Sequence, residues 1–315
     1  MKKTFILLAC LFLSLSGINE VADKSLFRSS LFKEKAFRHV KTLGSLGPRR
    51  LGSENEMLAA RYIRDQFETI GLETHSEDFK YTLFAIRKTT LTIAGIEFAV
   101  EYLGIDPYGH RLMQTGNAFF LGPETKAEAN FIKDKAIITC SPTNFFMLMA
   151  LGAKTVIYLG TGDFEKAKKL DSSAFTLTID GEFKKMTSTN IVGTLAAPVK
   201  TKKEIFITAH YDSYGESPGA NDNATGIGAI IELARIFTKQ KAALTANLKF
   251  IALAGEETGL LGSRMYIKKH QDQLKNSILV FNIDTVGGQG PICAESLGGW
   301  QRNFPERQST CFLMT

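Results

Sequence analysis

The 315-residue chain reads as an α/β protein with a largely parallel sheet and a small β-rich insertion. Three observations predict this. From residue 189 onward, short apolar strands alternate with amphipathic helices, the rhythm of a helix-covered parallel sheet. Between about residues 81 and 186 that rhythm gives way to short alternating strands. The composition, 44% hydrophobic and 22% charged with 27 glycines and 8 prolines, is that of a globular chain and excludes disorder, collagen-like repeats and coiled coil.

The chain opens with Met1-Lys2-Lys3, an apolar run over residues 4–15, and the small residues Ser14, Ser16 and Gly17. A basic start, a short apolar centre and a small-residue exit predict a secretory signal peptide over residues 1–16, hence an exported, periplasmic or extracellular protein. The run is shorter than the roughly 20 residues a spanning helix needs, and no later segment is a transmembrane candidate. Leu8-Ala9-Cys10 offers the alternative of lipoprotein anchoring at Cys10. Removal of the signal leaves Cys140, Cys293 and Cys311. The odd count leaves one thiol over, and the spacing matches no metal site.

Residues 23–43 are predicted helical, anchored by Leu26, Phe27, Leu31, Phe37 and Val40. A turn at Gly44-Ser45-Leu46-Gly47-Pro48 follows. Ser53 and Glu56 then form a capping-box pair, opening a helix that carries Leu58, Tyr62, Ile63, Phe67 and Ile70 and is stopped by Gly71. The insertion is drawn at residues 81–187, with strands at 89–98, 135–139 and 154–159 and a helix at 144–151 ended by Gly152. The flanking segments, 17–80 and 188–315, form the main domain, with strands at 205–209, 248–254 and 278–283 and helices at 225–238 and 260–269.

The formal charge of +6 is spread along the chain. Lys166, Lys168 and Lys169 beside Glu165 form the densest run, a solvated helix face. No basic stripe with interleaved aromatics marks a nucleic-acid partner.

Acidic and imidazole groups gather where the main-domain strands end: His210-Tyr211-Asp212, the run Gly219-Ala220-Asn221-Asp222-Asn223, Gly255-Glu256-Glu257, and Asp284. Each has a bland explanation alone: a surface histidine, a helix cap for Asp222, solvated loop glutamates, a turn aspartate. Together they fall on three successive strand ends, where open α/β sheets bind ligands. Imidazole and carboxylate without thiolate suit zinc, and a carboxylate can bridge two ions. Asp212 is placed to accept the second ring N–H of His210. Of the adjacent glutamates, one can bind metal while the other faces the water as general base.

His210-Tyr211-Asp212-Ser213, the run from Gly219 to Gly226, Gly255-Glu256-Glu257 and Asn282-Ile283-Asp284 resemble the co-catalytic dizinc exopeptidases, the clan of bacterial leucyl aminopeptidase and glutamate carboxypeptidase. Gly47-Pro48-Arg49 and Gly52-Ser53 resemble its N-terminal helix region. The resemblance implies a phosphorylase/hydrolase-like fold, a mixed, largely parallel sheet sandwiched by helices. It also implies two Zn²⁺ ions and peptide substrates: His210 and Asp284 as ligands of one ion, Asp222 as the bridge, Glu257 as ligand of the other, Glu256 as general base and Asp212 as partner of His210. An aminopeptidase is the leading expectation. A glutaminyl-peptide cyclotransferase of the same fold and a non-catalytic binding fragment are the alternatives. Within the insertion, Asp134-Lys135-Ala136-Ile137-Ile138 and the run from Ala150 to Tyr158 are similar to a protease-associated domain.

The family supplies one further histidine ligand downstream of the last aspartate. None of the 31 residues after Asp284 is histidine. His39, His75, His110 and His270 lie outside the matching motifs, and the helix ending at His270 is expected to face away from the cleft. The second zinc site is therefore expected to be incomplete, held by Asp222 and Glu257 alone. Residues 300–315 are expected to lack the strands and helix that complete the sheet edge, as in a truncated or frame-shifted product.

Overall fold

A computed structural model describes residues 30–105, 113–124, 129–170, 172–287, 294–296 and 310–314. The expected signal peptide, Cys10, His110 and Cys293 lie outside them. The chain divides into two compact units, Met1–Tyr81 with Met186–Thr315, and Thr82–Lys185.

In the first unit, α1 (Ser30–Ser45) and α2 (Glu54–Ile70) precede the strands. The inward face of α1 carries Ala36, His39, Val40 and Leu43, an i, i+3, i+4, i+7 stripe. Phe37 departs from expectation: it is one position off the stripe and 54% exposed, with the Lys41 ammonium 5.0 Å from its ring centre. On α2, Ala59, Ala60, Ile63 and Phe67 are buried, while Leu58 lies outside the core.

Ser53 caps α2, its hydroxyl accepting from the Glu56 amide at 3.1 Å. The reciprocal half of the expected capping box is replaced. The Ser53 N–H already donates to the Arg50 carbonyl, so the Glu56 carboxylate accepts from the Gly52 amide at 2.5 Å and the Ser188 hydroxyl at 2.6 Å.

The chain crosses between units within two long strands, β1 (Glu73–Ile93) and, later, β7 (Ala174–Leu195). In the second unit, β1 turns at Ala94-Gly95 into β2 (Ile96–Ala99). The strand expected over 89–98 is thus a hairpin, because Gly95, at φ +78°, takes the left-handed turn geometry that breaks it. There follow β3 (Tyr102–Ile105), β4 (Met113–Leu121), α3 (Ala129–Ile132), β5 (Ala136–Thr139), α4 (Pro142–Ala150), β6 (Thr155–Tyr158) and α5 (Thr161–Lys168). Parallel pairing joins β4 to β5 and β5 to β6. Leu91, Ile93, Ile138, Ile157, Phe164 and Leu177 centre one buried cluster, and the lysines of α5 are exposed.

The first unit resumes with β8 (Glu204–His210), α6 (Thr225–Lys239), β9 (Asn247–Leu253), α7 (Leu261–Lys269), α8 (Gln271–Leu274) and β10 (Ser277–Ile283). Two more strands are β11 (Ala294–Ser296) and β12 (Thr310–Met314). Its sheet runs β11-β12-β10-β8-β9-β7. The pairs β12–β10, β10–β8 and β8–β9 are parallel; β9–β7 and β11–β12 are antiparallel. This is a mixed, largely parallel α/β sheet.

The tail corrects the expectation that it lacks strands. Residues Leu279 to Ile283 pair in register with Thr310 to Met314. The apolar Cys311-Phe312-Leu313-Met314 run provides a partner for the backbone groups along the edge of β10, which would be costly to leave unpaired.

Candidate metal centre

The site arises from strand order. The chain goes from β8 to β9 on one side and then crosses back to β10 on the other. The carboxyl end of β8 is therefore a topological switch point, where a crevice opens between diverging connections. Register brings the ends level, since His210 pairs with Leu253 of β9 and Thr208 with Asn282 of β10. Asp284 and the Gly255-Glu256-Glu257 turn thus flank His210.

The His210 side chain is 2% exposed. Its Nε2 lies 3.1 Å from Asp222 Oδ1 and 3.5 Å from Asp284 Oδ1, and its Nδ1 lies 3.4 Å from Asp212 Oδ1. His210, Asp222 and Asp284 each offer a ligand atom within 4.8 Å of the others.

Buried polar groups are normally hydrogen-bonded. Here both ring nitrogens of His210, Asp284 Oδ1 and Glu257 Oε1 are buried with no well-directed hydrogen bond among the described residues. One imidazole and several carboxylates with unspent lone pairs are what a divalent ion such as zinc would satisfy. The electrostatics agree. Burial would lower the His210 pKa, but Asp212, Asp222 and Asp284 outweigh it and push it up to about 12. Burial, reinforced by Asp222, raises Glu257 to about 7, and burial likewise raises Glu256. The carboxylates are crowded, and a cation relieves them.

Four buried polar side chains fix the segments that carry these groups. Asp212 is fully buried, and its two oxygens accept from the Glu256 and Glu257 amides at 3.1 and 3.2 Å. It holds the glutamate turn as well as facing His210.

Asn223 follows Asp222 across a cis peptide. It donates to Ile283 O at 2.9 Å and accepts from the Gly226 and Thr285 amides at 2.8 and 3.2 Å, tying the Asp222 turn to the Asp284 strand. A Cβ at Gly226 would fall 2.4 Å from both Asn223 Oδ1 and Ile283 O, so glycine permits that approach.

Asn190 donates to Gly262 O at 2.9 Å and accepts from the Ala254 amide at 3.1 Å, closing the base of the glutamate loop. Arg49 is fully buried behind the loop between His210 and Asp222. Burial lowers its pKa to about 10 against the raising pull of Asp212 and Asp222.

Sequence reasoning assigns no role to Arg49 or Asn190. Arg49 stands in a quoted motif, but its partners are backbone carbonyls up to 170 positions away, which leave no pattern in the sequence. His270, expected to point away from the cleft, bonds Glu77 at 2.8 Å.

A helix-covered, largely parallel sheet with an imidazole–carboxylate cluster at its switch point is the arrangement that the resemblance to the zinc exopeptidases implies. The profile of Peptidase family M28 matches residues 190–303, and this region is similar to that family. It is 38% identical to aminopeptidase YwaD of Bacillus subtilis over 128 residues, 38% of this chain and 28% of that protein. It is 24% identical to a probable lipoprotein aminopeptidase, LpqL, of Mycobacterium tuberculosis over 296 residues, 78% of this chain and 56% of that protein. The matched stretches thus span less than two thirds of these curated relatives. Among solved structures, an aminopeptidase from Aneurinibacillus sp. strain AM-1 is similar at 25% identity and a TM-score of 0.57, over 81% of this chain and 71% of that one. A zinc aminopeptidase from Bacillus subtilis shares the fold with a TM-score of 0.61 at 23% identity, over 89% and 84% of the two chains.

Proposed function

We propose that this chain is an exported zinc-dependent exopeptidase, an aminopeptidase that hydrolyses N-terminal residues from peptides. The observation that carries the reading is the convergence of His210 Nε2, Asp222 and Asp284 on one point, with buried lone pairs left unspent around it. His210, Asp222 and Asp284 would hold the first ion, and Asp222 with Glu257 a weaker second one. Bound there, zinc supplies Lewis acidity to the scissile carbonyl and acidifies water.

Glu256 acts as the general base. Burial raises its pKa, which suits a group that takes a proton and returns it. It removes a proton from the attacking water as the C–O bond forms and delivers it to the amine nitrogen as the C–N bond breaks. Asp212 keeps Glu256 and Glu257 in place through their amides. The insertion is proposed to be protease-associated-like. Export rests on the basic, apolar and small-residue opening of the chain, and is supported by the likeness to a lipoprotein aminopeptidase. Among the described residues no helix is long and apolar enough to cross a membrane.

The test is Glu256→Gln on the full chain, assayed with a leucyl anilide and by elemental analysis for zinc. Turnover should fall about 10²–10⁴-fold with bound zinc unchanged. Pyroglutamate formation from an N-terminal glutamine peptide, with the anilide left intact, would establish the cyclotransferase instead. A wild-type chain that binds zinc and turns over neither substrate would count against both enzymes and favour the non-catalytic binding fragment.

A further inference from the structure

Arg49 is among the largest fully buried side chains, and among the described residues no carboxylate forms an ion pair with it. Its donors go to main-chain oxygens: Nε to Tyr211 at 2.8 Å, Nη1 to Leu43 at 3.2 Å and Pro218 at 2.5 Å, and Nη2 to Gly219 at 2.9 Å. The backbone joins in, with the Arg49 amide donating to Ser213 Oγ at 2.9 Å and the Ser213 amide donating to Arg49 O at 3.2 Å. Residues 211–219 are neither helix nor strand, so their carbonyls have no ladder to join, and the guanidinium takes its place.

The two ends of this loop are the two sides of the metal centre. Tyr211 directly follows His210. Gly219 O also accepts from the Ala224 amide at 3.0 Å, closing the turn that carries Asp222. Gly219 sits at φ +58°, and a Cβ there would come 2.7 Å from Arg49 Nη2 and 2.6 Å from Asp222 O. One rigid fork therefore holds the residue after one ligand and the residue three before another.

A residue that merely filled space would be served by an apolar side chain, which would take the guanidinium donors away from the Tyr211 and Pro218 carbonyls. Lysine would keep the charge, but its single ammonium lacks the planar fork that reaches both loop ends.

We propose that Arg49 is a positioning residue: it presets the His210–Asp222 spacing in the metal-free protein and thereby sets the affinity of the first zinc ion. This rests on the zinc reading of the site.

The test uses the full-length chain stripped of metal, as wild type, Arg49→Lys and, as a destabilised control, Ile63→Ala in the core of α2. Amide hydrogen exchange over residues 211–219 is measured without zinc, and zinc affinity by competition with a chromophoric chelator. The wild-type loop should be protected before zinc is added. Arg49→Lys should exchange at least about tenfold faster there and bind zinc about 10–100-fold more weakly, the usual effect of losing a ligand-orienting partner. Ile63→Ala should melt earlier with its zinc affinity within about twofold of wild type.

An Arg49→Lys affinity within twofold of wild type overturns the inference. So does free exchange of the wild-type loop without zinc, a reading that needs no variant to fold. If wild type binds no zinc, the metal reading itself falls, and the inference with it.

Discussion

Replacing Glu56 by glutamine should stabilise the protein in alkaline solution and do nothing of the kind in acid. The Glu56 carboxyl is 2% exposed, held by the Gly52 amide and the Ser188 hydroxyl. Burial raises its pKa from 4.5 to about 7; the Ser188 and Gly52 bonds offset part of that, and the Asp212 charge adds to it. A carboxyl whose folded pKa lies above its unfolded value contributes stability that is complete below about pH 4.5 and lost as pH rises through about 7. Each pH unit between the unfolded and folded values is worth about 1.36 kcal/mol, so ionisation costs the folded state about 3 kcal/mol by pH 8.

Glutamine has the same shape, accepts from Gly52, and donates to the Ser188 oxygen without a charge. The stability difference between variant and wild type should therefore grow by about 3 kcal/mol between pH 4 and pH 8. The other titratable groups are common to both proteins, so the pH dependence of the difference follows Glu56. The assay is urea unfolding of both chains across that range, with chelator present so that metal binding adds nothing. A difference independent of pH, or a variant less stable than wild type at pH 8, would refute the reasoning.

Asn190→Ala strips partners from the buried Ala254 amide and Gly262 carbonyl. It should cost about 2–4 kcal/mol in urea unfolding, and a loss under about 0.5 kcal/mol would show that the loop base closes without it. Glu77→Gln tests a separate ion cluster. Burial pushes the Glu77 carboxyl up, but bonds from His270 and His75 and the Lys269 charge outweigh it and hold it below its ordinary value. Its contribution is present above about pH 4.5 and lost as pH falls through the lower folded value. The variant should be about 1–2 kcal/mol less stable at pH 7, a gap that closes as pH falls through the lowered folded value, and an unchanged gap in acid would count against it.

The elements of the first unit were legible because periodicity is a local property. The strands ending at His210, Leu253 and Ile283 show as apolar runs, and the chemistry-bearing residues stand at or just past the end of each run. Where periodicity failed, one residue decided. Phe37 looks like an anchor in sequence, yet the face that packs carries Ala36 and Leu43, because helix rotation is settled by the partner. Gly95 breaks a strand whose alternation continues through it. The tail is expected to contribute no strand, but Thr310 to Met314 pair with β10.

The family match covers residues 190–303, the stretch that holds His210, Asp222, Glu256, Glu257 and Asp284. By itself, then, the sequence determined the α/β class and the residue types at the strand ends. Tertiary structure decided which polar atoms meet: that Asp212 grips the glutamate turn, that Glu56 reaches Ser188 instead of closing its own capping box, and that Arg49 spans the loop between His210 and Asp222. The physical reason is range. A hydrophobic pattern repeats every two or four residues, whereas a buried donor must find its acceptor wherever the folded chain has carried it.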